Sequence, residues 1–376
     1  MAVLRLYIVL MLLMALFLLK SSGDDRKIEE DPFTEEAKLK QQHYQEAQSQ
    51  IRPKSQKALE RISKHLSYTV YSNEIQSGFK SFILDPSEAS IALAWKKKTK
   101  GRKKQQRRQR TARALYRHDT RSIILSPTQK RTFPFNTVAQ VHPGCSGTVI
   151  GHRYILTAAE CIHDGSDLLN TVDKLRVGLY DQDVAYDPRE GDKPWTRAIT
   201  WHTVSKVFVP NGWRWRLDSN RYNYAVLRVS NAHFNSCMGL EGNADLEESR
   251  PNRIHFSSFE RLNRQGEPRL MYRYCHMEQS STMYIYERCD ATAEARGAGM
   301  YFRFWKGPEK NWDRKIIAVK SNKQQRINVT GVEELTAVGK DLRITPLVFA
   351  QICFWVSDDP ESCGKGLISN PCLTSK

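Results

Sequence analysis

The segment Gly144–Gly165, reading GCSGTVIGHRYILTAAECIHDG, constrains this chain more than any other. Two cysteines, Cys145 and Cys161, bracket two short apolar runs, Thr148–Ile150 and Tyr154–Ala159, with the turn-like Gly151-His152-Arg153 between them. Short apolar runs separated by a glycine-containing turn read as the two strands of a hairpin. In an oxidising compartment the two cysteines would close it.

The amino terminus argues for such a compartment. Arg5 precedes an apolar run from Leu6 to Leu19, then Ser21-Ser22-Gly23 and the acidic pair Asp24-Asp25. This is the pattern of a secretory signal peptide over residues 1–23, cut after Gly23. The alternative is a membrane anchor, but the run is shorter than the roughly 20 residues a spanning helix needs. No other run is long and apolar enough to span a bilayer, so the expectation is a secreted, extracellular protein with its eight cysteines oxidised.

Composition divides the remainder. Residues 24–95 are rich in Glu, Gln and Lys, hold no cysteine, and show helical spacing only in patches such as Ile51, Leu59, Ile62 and Leu66. They read as a pro-region, helical or disordered, with too few large apolar residues for a core of its own. Residues 96–113, KKKTKGRKKQQRRQRTAR, carry eleven Lys or Arg and no acid, and supply most of the net charge of +17. Like charges repel, so this stretch reads as an extended linker. Its R-x-x-R sites, Arg107–Arg110 and Arg110–Arg113, suit secretory-pathway convertases. The same tract (Lys96, Lys97, Lys98, Lys100, Arg102, Lys103, Lys104, Arg107, Arg108 and Arg110) would bind heparan sulfate or another polyanion through counterion release. A nucleic-acid partner is disfavoured by the signal peptide. Residues 114–376 are strand-like in short stretches (Lys174–Leu179, Ala198–Val209, Tyr222–Val229, Met283–Tyr286, Lys315–Val319), which predicts an all-β domain of two packed barrels. A helix should start at Thr345-Pro346, with Thr345 as its cap and proline at the first helical position.

Thr157-Ala158-Ala159-Glu160-Cys161 resembles the TAAHC motif of the trypsin/chymotrypsin-like serine proteases, with glutamate where the catalytic histidine belongs. Asn223-Tyr224-Ala225-Val226-Leu227 resembles the strand that carries the family's aspartate, with Asn223 at that position. The run Cys289–Tyr301, CDATAEARGAGMY, is similar to the nucleophile loop CDAxPGASGSGVY of the secreted serine protease 23 and inactive serine protease 35 family. Arg296 then stands at the serine and Glu294 at the preceding glycine, an oxyanion-hole position. Matches at CIHDG 161–165, KLRVG 174–178, RKIIAV 314–319 and RITPLxxAQICxW 343–355 extend the resemblance over Arg113 to about Cys363.

The resemblance implies a trypsin/chymotrypsin-like double β-barrel with a C-terminal helix, preceded by the pro-region, and a mature amino terminus created by cleavage after Arg113. It also implies inactivity, because base, orienting acid and nucleophile are replaced by Glu160, Asn223 and Arg296. Asp290 aligns with the aspartate that selects basic side chains in trypsin; as a turn residue after a disulfide it needs no such role. His163 and Asp164 belong to a segment the family has in addition to its catalytic histidine, so neither replaces it. A Glu160–Arg296 ion pair is expected across the degenerate site, against the alternative of two side chains in solvent. The remaining cysteines suggest Cys275–Cys289, Cys353–Cys363 and Cys237–Cys372, and Asn328 in N-V-T is a glycosylation acceptor. No cofactor or metal is expected.

Three functions compete at this stage. One is a pseudoprotease acting as an extracellular binding or decoy protein for an unidentified partner. The second is a serine-type endopeptidase with residual or unorthodox activity. The third is a matrix protein tethered to heparan sulfate.

Overall fold

The computed structural model describes residues 66–75, 78–82, 121–180, 199–215, 219–230, 232–242, 253–262, 266–306, 311–321, 323–327 and 336–356. The signal peptide with Gly23, the basic tract with Arg110 and Arg113, Asn328, Cys363 and Cys372 lie outside the described residues. Among the described residues no helix is long and apolar enough to cross a membrane.

Strands β1 (Tyr68–Ser72) and β2 (Phe79–Phe82) form an antiparallel hairpin, and a short β3 (Ser122–Ile123) follows. The first barrel is β4 (Val138–Val141), β5 (Cys145–Gly151), β6 (Tyr154–Thr157), β7 (Arg176–Tyr180), β8 (Ile199–Pro210) and β9 (Ala225–Val229). Its order is β8-β7-β4-β5-β6-β9, and a β8–β9 pairing closes it. The long β8 makes closure possible: residues 199–203 pair with β7 and residues 204–208 with β9. Gly178 lets β7 and β8 approach, since a Cβ there would lie 2.6 Å from Ile199 Cγ2.

The second barrel starts from β10 (Gly239–Leu240), a short strand parallel to β15 (Asn311–Val319). It comprises β11 (Arg253–Glu260), β12 (Arg269–Ser280), β13 (Tyr284–Glu287), β14 (Gly299–Lys306), β15 and β17 (Thr336–Arg343), closed by β15–β17. The strand β16 (Gln324–Ile327) pairs outside this circle with β17. Alternation puts Ile155, Val177, Val207 and Leu227 into the first core, and Ile254, Phe256, Ile285, Met300 and Ile317 into the second. The architecture is the trypsin-like pair of six-stranded antiparallel barrels.

The C-terminal helix Pro346–Val356 begins as its sequence dictates, with Thr345 Oγ1 accepting from Val348 N–H at 3.3 Å. Val348, Ile352 and Trp355 bury into the first core. Cys145–Cys161 closes the β5–β6 hairpin, and Cys275–Cys289 ties β12 to the segment after β13. Cys237 and Cys353 are also disulfide-bonded.

Two expectations need correction. Within the pro-region, the described residues of 68–82 are not helical but hold the β1–β2 hairpin, which adds to the first barrel's sheet through β8. A run such as Tyr68-Thr69-Val70-Tyr71 is rich in strand-forming residues but needs an open sheet edge, and β8 supplies one. The strands expected from Lys174 and Tyr222 begin later, because single 3-10 turns occupy Val172–Lys174 and Ser219–Tyr222.

Candidate active site

Glu160 sits in the 3-10 turn Ala159–Cys161 that follows β6. The register of β6 against β9 places Thr157 opposite Ala225, so the end of one strand meets the start of the other. Asn223, two residues ahead of Ala225 and 2% exposed, therefore lies beside Glu160. Two hydrogen bonds join them. The Glu160 backbone N–H donates to Asn223 Oδ1 at 2.9 Å, and Asn223 Nδ2 donates to Glu160 Oε1 at 3.0 Å. A carboxylate at residue 223 could accept the first bond but could not donate the second.

Arg296 follows the 3-10 turn Ala293–Ala295 and is clasped against β5 and β6. Its carbonyl accepts from Ser146 N–H at 2.8 Å and lies 3.6 Å from Cys161 Sγ. Gly297 holds the clasp shut. Its φ is +85°, and a Cβ there would meet Thr157 Oγ1 at 2.2 Å and Ser146 O at 2.3 Å. Only glycine fits that approach and that dihedral. The three positions singled out from the sequence thus come together at the junction of the two barrels.

The expected ion pair does not form. Arg296 Nε donates to Ala293 O at 2.7 Å, turning the guanidinium back over its own turn. Among the described residues no ion pair joins Arg296 to Glu160, whose carboxylate is directed at Asn223. The Glu160 side chain instead accepts from Asn223, the residue behind it.

The loop around Glu294, the expected oxyanion position, is bonded internally and to its neighbours. The Arg296 backbone N–H, which an oxyanion hole would direct outward, donates to Ala293 O at 3.4 Å within the 3-10 turn. Glu294 points its carboxylate at Arg261, accepting from the Arg261 backbone N–H at 2.6 Å and from its guanidinium. Its carbonyl accepts from Ser146 Oγ at 2.9 Å.

Beneath this loop lies an ionic network that sequence reading missed. Glu260, fully buried, contacts the Arg273 guanidinium and the Ser258 hydroxyl, accepts from Thr292 N–H at 2.8 Å, and meets Arg121 Nη1 at 3.4 Å. Burial alone would raise the Glu260 pKa; the Arg273 charge, with the bonds from Ser258 and Thr292, brings it below the ordinary carboxylate value. Arg273 also donates to the carbonyl of Asp290, itself fully buried. Arg121, Glu260, Arg273 and Asp290 lie far apart in the chain, and no local spacing connects them.

A second buried group joins Lys320 to Glu287 and Asp341, with Asp341 Oδ1 at 3.2 Å from Lys320 Nζ. Burial pushes the Asp341 carboxyl well above its usual range, despite the lysine. Cys275, Glu287 and Cys289 are close enough together to suggest metal ligands, but both sulfurs are committed to their disulfide.

His163 is not a displaced catalytic base. It is fully buried, its Nδ1 accepts from Gly165 N–H at 2.9 Å, and its Nε2 lies 2.7 Å from the Tyr71 hydroxyl. Burial, with the nearby Arg214 charge, lowers its pKa to about 4. Through Tyr71 it meets the β1 strand.

The trypsin family pattern matches residues 123–249. Mouse serine protease 23 is 33% identical over 271 residues, covering 69% of this chain and 68% of its own. Mouse inactive serine protease 35 is 30% identical over 357 residues, covering 82% of each. The chain belongs to the trypsin family. Within it, these relatives include both a member named as a protease and one named as inactive. A trypsin-family enzyme positions a serine hydroxyl, an imidazole and a buried carboxylate for acyl transfer. Arg296, Glu160 and Asn223 are the residues that the sequence resemblance sets against these three groups.

Proposed function

We propose that the protein is a secreted pseudoprotease, a trypsin-family domain that acts by binding rather than by cutting. The observation that carries this reading is the reciprocal pair of hydrogen bonds between Glu160 and Asn223. It occupies the site of a base and its orienting acid with a closed, mutually satisfied contact. Acyl transfer needs a nucleophile with a base beside it and a group that fixes that base. Arg296 offers a permanent cation instead of a hydroxyl, and its side chain is engaged with Ala293. A developing oxyanion would find the Arg296 N–H already bonded within the turn.

The direct test of this reading is turnover. Purified secreted protein, cut at the basic tract, should release nothing above buffer from a fluorogenic peptide library or labelled casein. Hydrolysis that survives further purification and is abolished by Arg296→Ala would overturn the reading. In the same picture the basic tract at residues 96–113 attaches the protein to heparan sulfate, and Asn328 carries a glycan. Retention on heparin at physiological salt, and a mass shift with an amidase that removes N-glycans, check these two features. Elution in the void at 50 mM salt would remove the polyanion from the account.

A further inference from the structure

We infer that the β1–β2 hairpin is a retained subunit of the domain and not a pro-segment that is shed. Severing the chain in the basic tract leaves the N-terminal fragment bound, without a covalent link, as the strand that completes the first barrel's sheet.

Strand β8 is paired along both edges of its last half. One edge of its last half pairs with β9, at Lys206↔Arg228, Val207↔Leu227 and Phe208↔Val226. The opposite edge pairs with β1 in unbroken register from Tyr68↔Pro210 to Ser72↔Lys206. Remove β1 and that edge presents a row of backbone donors and acceptors without partners, a template for aggregation. The pairing also buries side chains as a barrel strand does. Ser67, Thr69 and Ser72 are fully buried, and Val70 and Tyr71 are 8% and 4% exposed.

The polar contacts are equally specific. Asn211, at the end of β8 and fully buried, donates its backbone N–H to Ser67 O at 2.9 Å and accepts from Thr69 Oγ1 at 2.6 Å through its side chain. Arg214 Nη1 donates to Thr69 Oγ1 and to Ser81 Oγ, both at 2.9 Å, and its guanidinium sits 5.2 Å from the Phe79 ring. Tyr71 reaches His163 at 2.7 Å. On the other side, Tyr68 stacks on Phe82 at 4.8 Å and meets Trp355 of the C-terminal helix at 5.6 Å. Asn211 Oδ1 and His163 Nε2 belong to buried residues of the trypsin-like domain, and each takes a partner from the hairpin. A domain that discarded the hairpin would leave both in need of new ones. No cysteine precedes Cys145, so no disulfide ties the fragment to the domain.

The test supplies the cut itself, so it does not depend on processing in cells or on the absence of catalysis. Full-length secreted protein is treated with a convertase specific for R-x-x-R, the cut is verified by N-terminal sequencing, and the product is run on size exclusion at about 1 µM. Both fragments should elute together in equal amounts and separate only in denaturant. An N-terminal fragment eluting in its own peak, with the domain still monodisperse, would overturn the inference. Thr69→Val and Tyr71→Phe provide the second arm, because both lie in the fragment and leave the domain chemically identical. On dilution, each should release the fragment at least tenfold faster than the parent. Release at the parental rate would show that these contacts do not hold it.

Discussion

Asn223→Asp restores the residue that the trypsin family uses, and here it should be destabilising. The Asn223 Nδ2 that donates to Glu160 Oε1 at 3.0 Å becomes an oxygen, so two carboxylates face each other across a hydrogen-bond distance. At an effective dielectric near 20, two unit charges about 3 Å apart repel by roughly 5 kcal/mol. The pair has a cheaper route. One carboxyl can take up a proton and donate it to the other, which at pH 7 costs about 4 kcal/mol for a group with an ordinary pKa near 4. Glu160 is partly exposed, so screening reduces both figures, and a loss of about 2–3 kcal/mol at pH 7 is expected. The sign of the pH dependence follows. The shared proton raises a folded-state carboxyl pKa above its unfolded value, so the variant regains stability as pH falls and loses it as pH rises through the raised pKa. Urea unfolding at pH 5, 6 and 7 measures it: the gap to the parent should shrink to about 1 kcal/mol at pH 5. Adding Glu160→Gln should restore most of the loss, because the new amide can donate to the new carboxylate. An Asn223→Asp protein as stable as its parent at pH 7, or no rescue by Glu160→Gln, would refute the reasoning.

Other outcomes follow from the same geometry. The triple variant Glu160→His, Asn223→Asp, Arg296→Ser should still hydrolyse peptide esters at background rate, because Glu294 remains bonded to Arg261 and the N–H of residue 296 to Ala293; a rate within tenfold of trypsin would contradict this. On heparin, protein cut at the basic tract should elute at the salt of the uncut protein, because the retained fragment keeps the tract. Full-length protein with the eleven Lys and Arg of residues 96–113 replaced by Gln should elute much earlier; equal elution of that variant would move the polyanion site onto the barrels. The hairpin should also loosen in acid. His163, beside Arg214 and near Asp164 and Asp167, has its pKa lowered from 6.5 to about 4, so docking is complete above pH 6.5 and weakens as pH falls toward 4. Fragment affinity measured over that range should drop by up to about tenfold per pH unit, and a flat profile would dismiss the coupling.

Much of this fold was legible because its signals are local. Cys145 and Cys161 flank two strands that pair as read, and Thr345-Pro346 begins a helix where a cap and a first-turn proline should. The family resemblance singled out Glu160 and Asn223, and the register of β6 against β9 brings the two together. Which group the Glu160 side chain would bond was not legible. An arginine on a loop can turn outward to an acid or back to its own carbonyl, and composition does not distinguish the two. Arg296 takes the second course, so the replacements that match each other are at 160 and 223. The hairpin was missed for a different reason. Its strand signal is only a few residues long, sits in a Glu- and Lys-rich region, and depends on β8, well over a hundred residues away. The Glu260–Arg273–Arg121 network shares that fault: each residue alone reads as a surface charge, and only the folded chain buries them together.

The central claim is that the protein keeps the trypsin architecture without a working nucleophile, and intact-mass analysis after a fluorophosphonate probe tests it most directly. The probe needs an activated hydroxyl beside an oxyanion hole. The secreted, cut protein should show an unchanged mass under conditions that label trypsin to completion, whereas a stoichiometric adduct on any serine would contradict the account.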